Sequence, residues 1–231
     1  MSKQQPTGFT PATTRFLSDL RGNNDRDWFT ANKRRYENDV AAPALDFIAA
    51  MDPRLKKISP HFRAVAKKTG GSLMRVYRDT RFAKDKTPYK TNVGIQFRHE
   101  LGKDVHAPGF YLHIEPQDVF LGVGSWHPEP KALARIRDAI VDNPAAWRKA
   151  RDDRKFRERF ELRGDSLKRP PRGFDAAHPM IEDLKRKDFI AIEELAVDEI
   201  YQAAFAERVS RSFAAATPLI RFLCHSLDLA F

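Results

Sequence analysis

Apolar positions recur along the chain with a helical period at both ends and an alternating period in the middle. Phe16, Leu17 and Leu20 share one helical face behind Thr10 as an N-cap and Pro11 at the first helical position, and Gly22, Asn23 and Asn24 end that helix. Asn24 or Asp25 caps the next stretch, which carries Trp28, Phe29, Tyr36, Val40, Leu45, Phe47 and Ile48. Pro43 offers no amide hydrogen, so it kinks or divides this helix, and Asp52-Pro53 reads as its stop. The period then drops to two. Leu73 to Arg78 is a strand candidate, and Val93, Ile95 and Phe97 alternate with Asn92, Gly94 and Gln96. Phe110, Leu112 and Ile114 alternate with Tyr111, His113 and Glu115; Val119, Leu121 and Val123 alternate with Phe120, Gly122 and Gly124. Residues 115–118 form a turn signal between these last two runs. Past Trp126, His127 and Pro128 the helical period returns in Leu133, Ile136, Ile140 and Val141, in Ala145 to Phe160, and in Met180 to Lys187. A final helical region carries Phe205, Val209, Phe213, Leu219, Ile220, Leu223 and Leu227, with Pro218 interrupting it. Short connections predict antiparallel pairing, and one-sided alternation predicts one packed face. The expected fold is α+β: a central antiparallel sheet with one face packed by N- and C-terminal helices, in a single domain over 1–231 whose polar residues 1–8 are disordered.

Strand alternation also sorts the polar side chains. If Met74, Val76 and Arg78 take the core side, Arg75 joins Asn92, Gln96, Tyr111, His113 and Glu115 on the polar face, and a slip of one residue reverses that assignment. Gly94, Gly122 and Gly124 would leave room on this face for a ligand; an ordinary solvated sheet face is the alternative.

Charge sharpens the picture. The chain carries a formal net charge of +10 and a pI near 9.8, which favours phosphate-rich partners through long-range attraction. From Arg75 to Lys90 there are six basic and two acidic residues. Guanidinium groups fork onto phosphate or carboxylate oxygens, so Arg75, Arg78, Arg81 and Lys86 are the candidate ligands for an anionic, phosphate-bearing small molecule. Tyr89 and Tyr111 complete that pocket, and His113 or His178 is the candidate acid/base. Asp79 and Asp85 support the cations, or hold a divalent cation that bridges to phosphate; an internal network fastening a loop to the sheet is the third reading. A nucleic-acid-binding module is the alternative function. It would use residues 148–172, with eleven basic and five acidic residues, and Trp126 or Phe174 for stacking. A structural or interaction module is the remaining class. Whether the protein is an enzyme stays open.

His113 and Glu115 share a strand face flanked by His106 and His127, but no HExxH and no cysteine pair is present, so no metal and no cofactor is assigned. The pairs Glu193-Glu194 and Asp152-Asp153 read as solvated helix charge. No phosphate-binding glycine loop or nucleophile elbow occurs. The lone Cys224 excludes an intramolecular disulfide and reads as a small buried residue, which fits a reducing, cytoplasmic setting. Neither a signal-peptide core nor a long apolar run is present, so no membrane association is expected.

The run Arg75-Val-Tyr-Arg78-Asp79-Thr-Arg81-Phe82-Ala-Lys-Asp85-Lys86-Thr-Pro88-Tyr89-Lys90 resembles the signature of a family of conserved hypothetical proteins of about this length. It is a domain-of-unknown-function family found in bacteria and inside longer fungal proteins. The resemblance extends over nearly the whole chain. It takes in Asn23, Asn24, Arg26, Trp28 and Phe29, then Gly109, Tyr111 and His113, then Leu167 to Phe174, His178-Pro179 and Lys187 to Phe189. It implies membership, and no activity, substrate or cofactor comes with it.

Overall fold

The computed structural model describes residues 8–102 and 107–231. Of the segment expected to be disordered, all but Gly8 lies outside the described residues, as does His106. The first helix, α1 (Pro11–Gly22), starts at Pro11 behind an extended Thr10. Asp25 caps α2 (Arg26–Ala31) by accepting the Trp28 N–H at 2.8 Å, which leaves Asn24 for another task. A short α3 (Lys33–Tyr36) passes through a π-helical turn, Glu37–Ala41, into α4 (Ala42–Ile58), with Pro43 in its first turn. The expected stop at Pro53 does not occur. Proline removes only its own amide bond there, and Met51 and Leu55, both fully buried, hold the last turns against the core.

The strands are β1 (Phe62–Arg63), β2 (Val93–His99), β3 (Gly109–Ile114), β4 (Val119–Ser125), β5 (Glu161–Arg163) and β6 (Phe189–Leu195). They form an antiparallel sheet in the order β1-β2-β3-β4-β6-β5. The β3–β4 hairpin closes where predicted, with the Glu115 N–H donating to the Asp118 carbonyl at 2.7 Å. Between β4 and β5 come α5 (Pro130–Asp142), α6 (Pro144–Arg151) and α7 (Arg154–Arg157). The single helix expected over 145–160 breaks at the acidic pair. Asp152 ends α6, and Asp153 caps α7 by accepting the Phe156 N–H at 3.0 Å, so this pair is a joint and not solvated helix charge. A short α8 (Ile181–Leu184) precedes β6. A 3-10 turn, Val197–Tyr201, leads to α9 (Phe205–Ala215) and α10 (Thr217–Ser226), which divide just before Pro218.

One sheet face carries the core. Phe97 and Phe110 meet Phe213 of α9 at 6.1 and 4.8 Å, Phe47 of α4 meets Phe97 and Phe205, and Trp147 of α6 meets Phe189 at 5.7 Å. This is the α+β arrangement expected, with N- and C-terminal helices on one face. Cys224 is buried in α10, and burial pushes its thiol up to about 12, so it behaves as a small apolar residue.

β5 and β6 were not anticipated. In β6 the core-facing set is Phe189, Ala191, Glu193 and Leu195, and the acid at its third position disguises the alternation. Glu193 is therefore not solvated helix charge: it is 6% exposed, opposite Leu121, and held by Arg208 at 2.6 Å.

Candidate functional site

The charged segment runs along the β2 edge and turns back on itself. Leu73 bridges Ile95, the Met74 N–H donates to the Gly94 carbonyl at 2.9 Å, and the Gln96 N–H donates to the Ser72 carbonyl at 2.9 Å. The segment then folds back as a hairpin closed by Lys90 N–H to Val76 O at 2.7 Å, Arg78 N–H to Pro88 O at 2.9 Å, and the Tyr77–Tyr89 bridge. It forms isolated bridges, not the strand expected over 73–78. Its parity is also opposite to expectation: Leu73 is buried in the core, while Met74 reaches the polar face at Gly94. Arg75 therefore does not join His113 on that face. It is exposed and lines a cleft of about 320 Å³ with Phe29, Lys33, Tyr36 and Tyr77.

Inside the loop, each carboxylate is matched to an arginine, Asp85 to Arg78 and Asp79 to Arg81. Arg78 donates through Nη1 to Asp85 and Thr87, Arg81 grips Asp79 through two bonds of 3.0 and 2.7 Å, and Lys86 donates to the Thr80 carbonyl at 2.9 Å. Bonds from Arg81 hold the Asp79 carboxyl down to about 2; bonds from the Thr87 N–H and from Arg78 do the same for Asp85. Phe82 stands at the tip, 95% exposed.

The hairpin base is pinned by Asn24, which accepts the Tyr89 N–H at 3.1 Å and donates to the Tyr89 carbonyl at 3.0 Å. The Tyr89 ring is buried and stacks on Phe29 with centroids 4.0 Å apart. Between this base and the α1–α2 junction lies a second cleft of about 400 Å³, lined by Arg21, Asn24, Arg78, Lys90, Thr91 and Asn92, with Asp85, Thr87 and Tyr89 completing its wall. Three cations face one carboxylate in it. Two of the cations are already engaged, Arg78 with Asp85 and Arg21 with Glu115 at 2.6 Å. Lys90 is not. Half-buried, its ammonium has no hydrogen bond or ion pair among the described residues, and burial, followed by the Arg75 charge, pulls its pKa below the ordinary lysine value. Arg75 likewise has no hydrogen-bond partner among the described residues.

Behind the cleft a polar chain crosses the open sheet face. The Glu115 carboxylate sits 2.6 Å from Arg21 Nη2 and 3.3 Å from His113 Nε2, while His113 Nδ1 faces the Tyr111 hydroxyl at 3.2 Å and Asn92 Nδ2 at 3.4 Å. Burial lowers the His113 pKa, against the opposing pull of Glu115, and burial pushes the Tyr111 hydroxyl up to about 12. At neutral pH the chain thus holds a neutral imidazole between a carboxylate and a phenol. The room expected at the glycines is taken by protein. A Cβ on Gly94 would meet Met74 Sδ and the Tyr111 hydroxyl at 2.9 Å, and one on Gly124, at φ +116, would lie 2.0 Å from the Phe189 carbonyl. Gly122 lies against Tyr111 and Ile192.

His178 is elsewhere. Its Nδ1 accepts the Met180 N–H at 3.1 Å in the segment leading into α8, which is tied to the β5–β6 edge through Leu167 N–H to Lys185 O at 2.8 Å. The candidates thus divide. Tyr89 and Arg78 line the Lys90 cleft, Tyr111 and His113 lie next to it through Asn92, Arg75 lines the neighbouring cleft, Arg81 and Lys86 are engaged in the loop, and His178 is remote. Among the described residues no group of three or more His, Cys, Asp or Glu is placed to hold a metal ion. Sequence reasoning missed Lys90, Arg21, Asn24 and Asn92 as cleft residues. Lys90 carried a signal as part of the basic run; nothing in spacing ties Asn24 to Tyr89, 65 positions away.

Fold and site together define an α+β protein with a one-sided antiparallel sheet and a cationic cleft where an edge hairpin meets the N-terminal helices. The chain belongs to the DUF2461 family of conserved hypothetical proteins, whose model matches residues 12–222. No curated protein and no solved structure matches the chain.

Proposed function

We propose that the Lys90 cleft binds a small anionic, phosphate-bearing molecule. The observation that carries this reading is the half-buried Lys90 ammonium, which faces a cleft beside Arg21 and Arg78 without a carboxylate of its own. A partly desolvated cation with a second one, Arg75, nearby raises the free energy of the empty protein, and an anion bound against Lys90 in its cleft offsets that cost. Asn24, Thr91 and Asn92 line the same cleft with neutral donors suited to the remaining oxyanion bonds. Arg78, already braced by Asp85, is preorganised to contribute a further contact, and the Arg81–Asp79 pair stiffens the loop that carries it. If the ligand is transformed, His113 is the proton carrier: it is neutral at pH 7 and separated from the cleft only by Asn92.

Thermal unfolding against a panel of inorganic phosphate, pyrophosphate and sugar phosphates tests this. A ligand at a hundredfold excess over its dissociation constant stabilises by about 2.7 kcal/mol, which for a chain of this size is a melting shift of roughly 5–10 °C. The shift should appear in the wild type and vanish in Lys90→Ala, whose own melting temperature stays level or rises because no partner is orphaned. Equal shifts in both proteins place the ligand elsewhere, and a blank panel removes the reading.

A further inference from the structure

A second arrangement stands where β4 ends and β6 begins, away from the Lys90 cleft. Trp126 is 52% exposed, and its ring centroid lies 4.5 Å from that of His127. His127 has φ 45, a left-handed conformation that costs a side-chain-bearing residue free energy unless something holds it. Asp188 holds it. This carboxylate, 2% exposed, accepts the His127 N–H at 2.7 Å, sits 3.1 Å from His127 Nδ1, and accepts the Asp165 N–H at 2.9 Å. Gly164, at φ +102, lets the Asp165 turn approach, since a Cβ there would lie 2.5 Å from the Asp188 Cβ. One buried acid thus fixes the His127 ring, against which Trp126 packs, and anchors the loop that follows β5.

That loop is basic. Lys187 donates its N–H to the Asp165 carbonyl at 2.8 Å, and Ser166 bridges Arg186, so Lys187 sits next to Asp188 and the antiparallel ladder carries the chain on to the Lys168-Arg169 pair. Lys168, Arg169, Arg172 and Lys187 are exposed, and none has an ion pair among the described residues. In the preceding stretch Arg151, Arg154, Arg159 and Arg163 are each paired with a carboxylate, while Arg148, Lys149, Lys155 and Arg157 have no ion pair among the described residues.

We infer that Trp126 and His127 form a stacking platform for a base of single-stranded nucleic acid, with the 168–172 loop and Lys187 taking the neighbouring phosphates. Every base presents a π-face, so a fixed aromatic ring in a field of unneutralised cations recognises single strands with little sequence preference. Asp188 is a positioning residue here: it acts through His127 and touches no ligand.

The test is fluorescence anisotropy of a labelled octauridylate with the full chain, at low salt and at moderate salt. Wild type should bind, with affinity falling as salt rises. Trp126→Ala should weaken binding about fivefold to a hundredfold, the range for loss of one base stack. Trp126→Tyr should restore most of it, which loss of fold or of bulk charge would not allow. Lys90→Ala should bind as wild type does, so the result is independent of the small-anion site. Binding unchanged in Trp126→Ala, no binding by wild type, or equal competition by polyglutamate of matched charge each overturns the proposal.

Discussion

At the scale of single residues, the structure turns on two positions that polarity alone misplaces. Glu193 faces the core, accepts Arg208 at 2.6 Å and lies 3.5 Å from Arg159, while Arg208 also reaches Glu199 at 3.0 Å. Removing one member of a buried pair leaves the other charge uncompensated, so Glu193→Ala should cost about 3–5 kcal/mol in urea unfolding. Its neighbour Glu194 is exposed and pairs with Arg163, so Glu194→Ala should stay within about 1 kcal/mol. No local pattern separates the two adjacent acids. What separates them is an arginine fifteen positions on that the fold brings back to one of them. Gly94 is the second case. Its missing side chain is the space in which Tyr111 and Met74 sit, so Gly94→Ala should cost about 1–3 kcal/mol through overpacking and shift the Tyr111 ring in an NMR spectrum.

Among the elements, β2, β3 and β4 were legible because each alternates without a break and a short turn joins the last two. The hairpin that follows Gly71 was legible as charged but not in its register. Leu73 and Met74 are apolar neighbours, so either parity buries a large side chain, and the choice falls to the Leu73–Ile95 bridge. β6 escaped because a core position holds an acid. The loop over 78–88 makes a pH prediction. Asp79 and Asp85 are depressed from 3.8 to about 2, so their contribution is complete above pH 3.8 and is lost as the pH falls toward 2. The amide signals of Arg81 and Thr87, whose N–H groups donate to these carboxylates, should titrate with midpoints near 2 and be flat above pH 5. His113 should titrate below the usual 6.5 because burial outweighs Glu115; a midpoint above 6.5 would mean that the carboxylate dominates.

For the molecule as a whole, the candidate site is an assembly of distant segments. Arg21 and Asn24 come from the α1–α2 junction, Arg78 to Asn92 from the edge hairpin, and His113 and Glu115 from the end of β3. The sequence indicated the charge of the site and one of its walls. It did not indicate which cations are already matched, because that depends on side-chain partners such as Asp85 and Glu115 and not on how many basic residues a segment contains. The same distinction separates the Lys90 cleft from the loop beside it, and makes Lys90 itself the most direct reporter. Its side-chain Cε resonance, followed by NMR through the alkaline range, gives the ammonium pKa without and with saturating pyrophosphate. The account predicts a midpoint below 10.5 in the free protein that moves upward when the anion is bound. A midpoint that pyrophosphate leaves unmoved would contradict it.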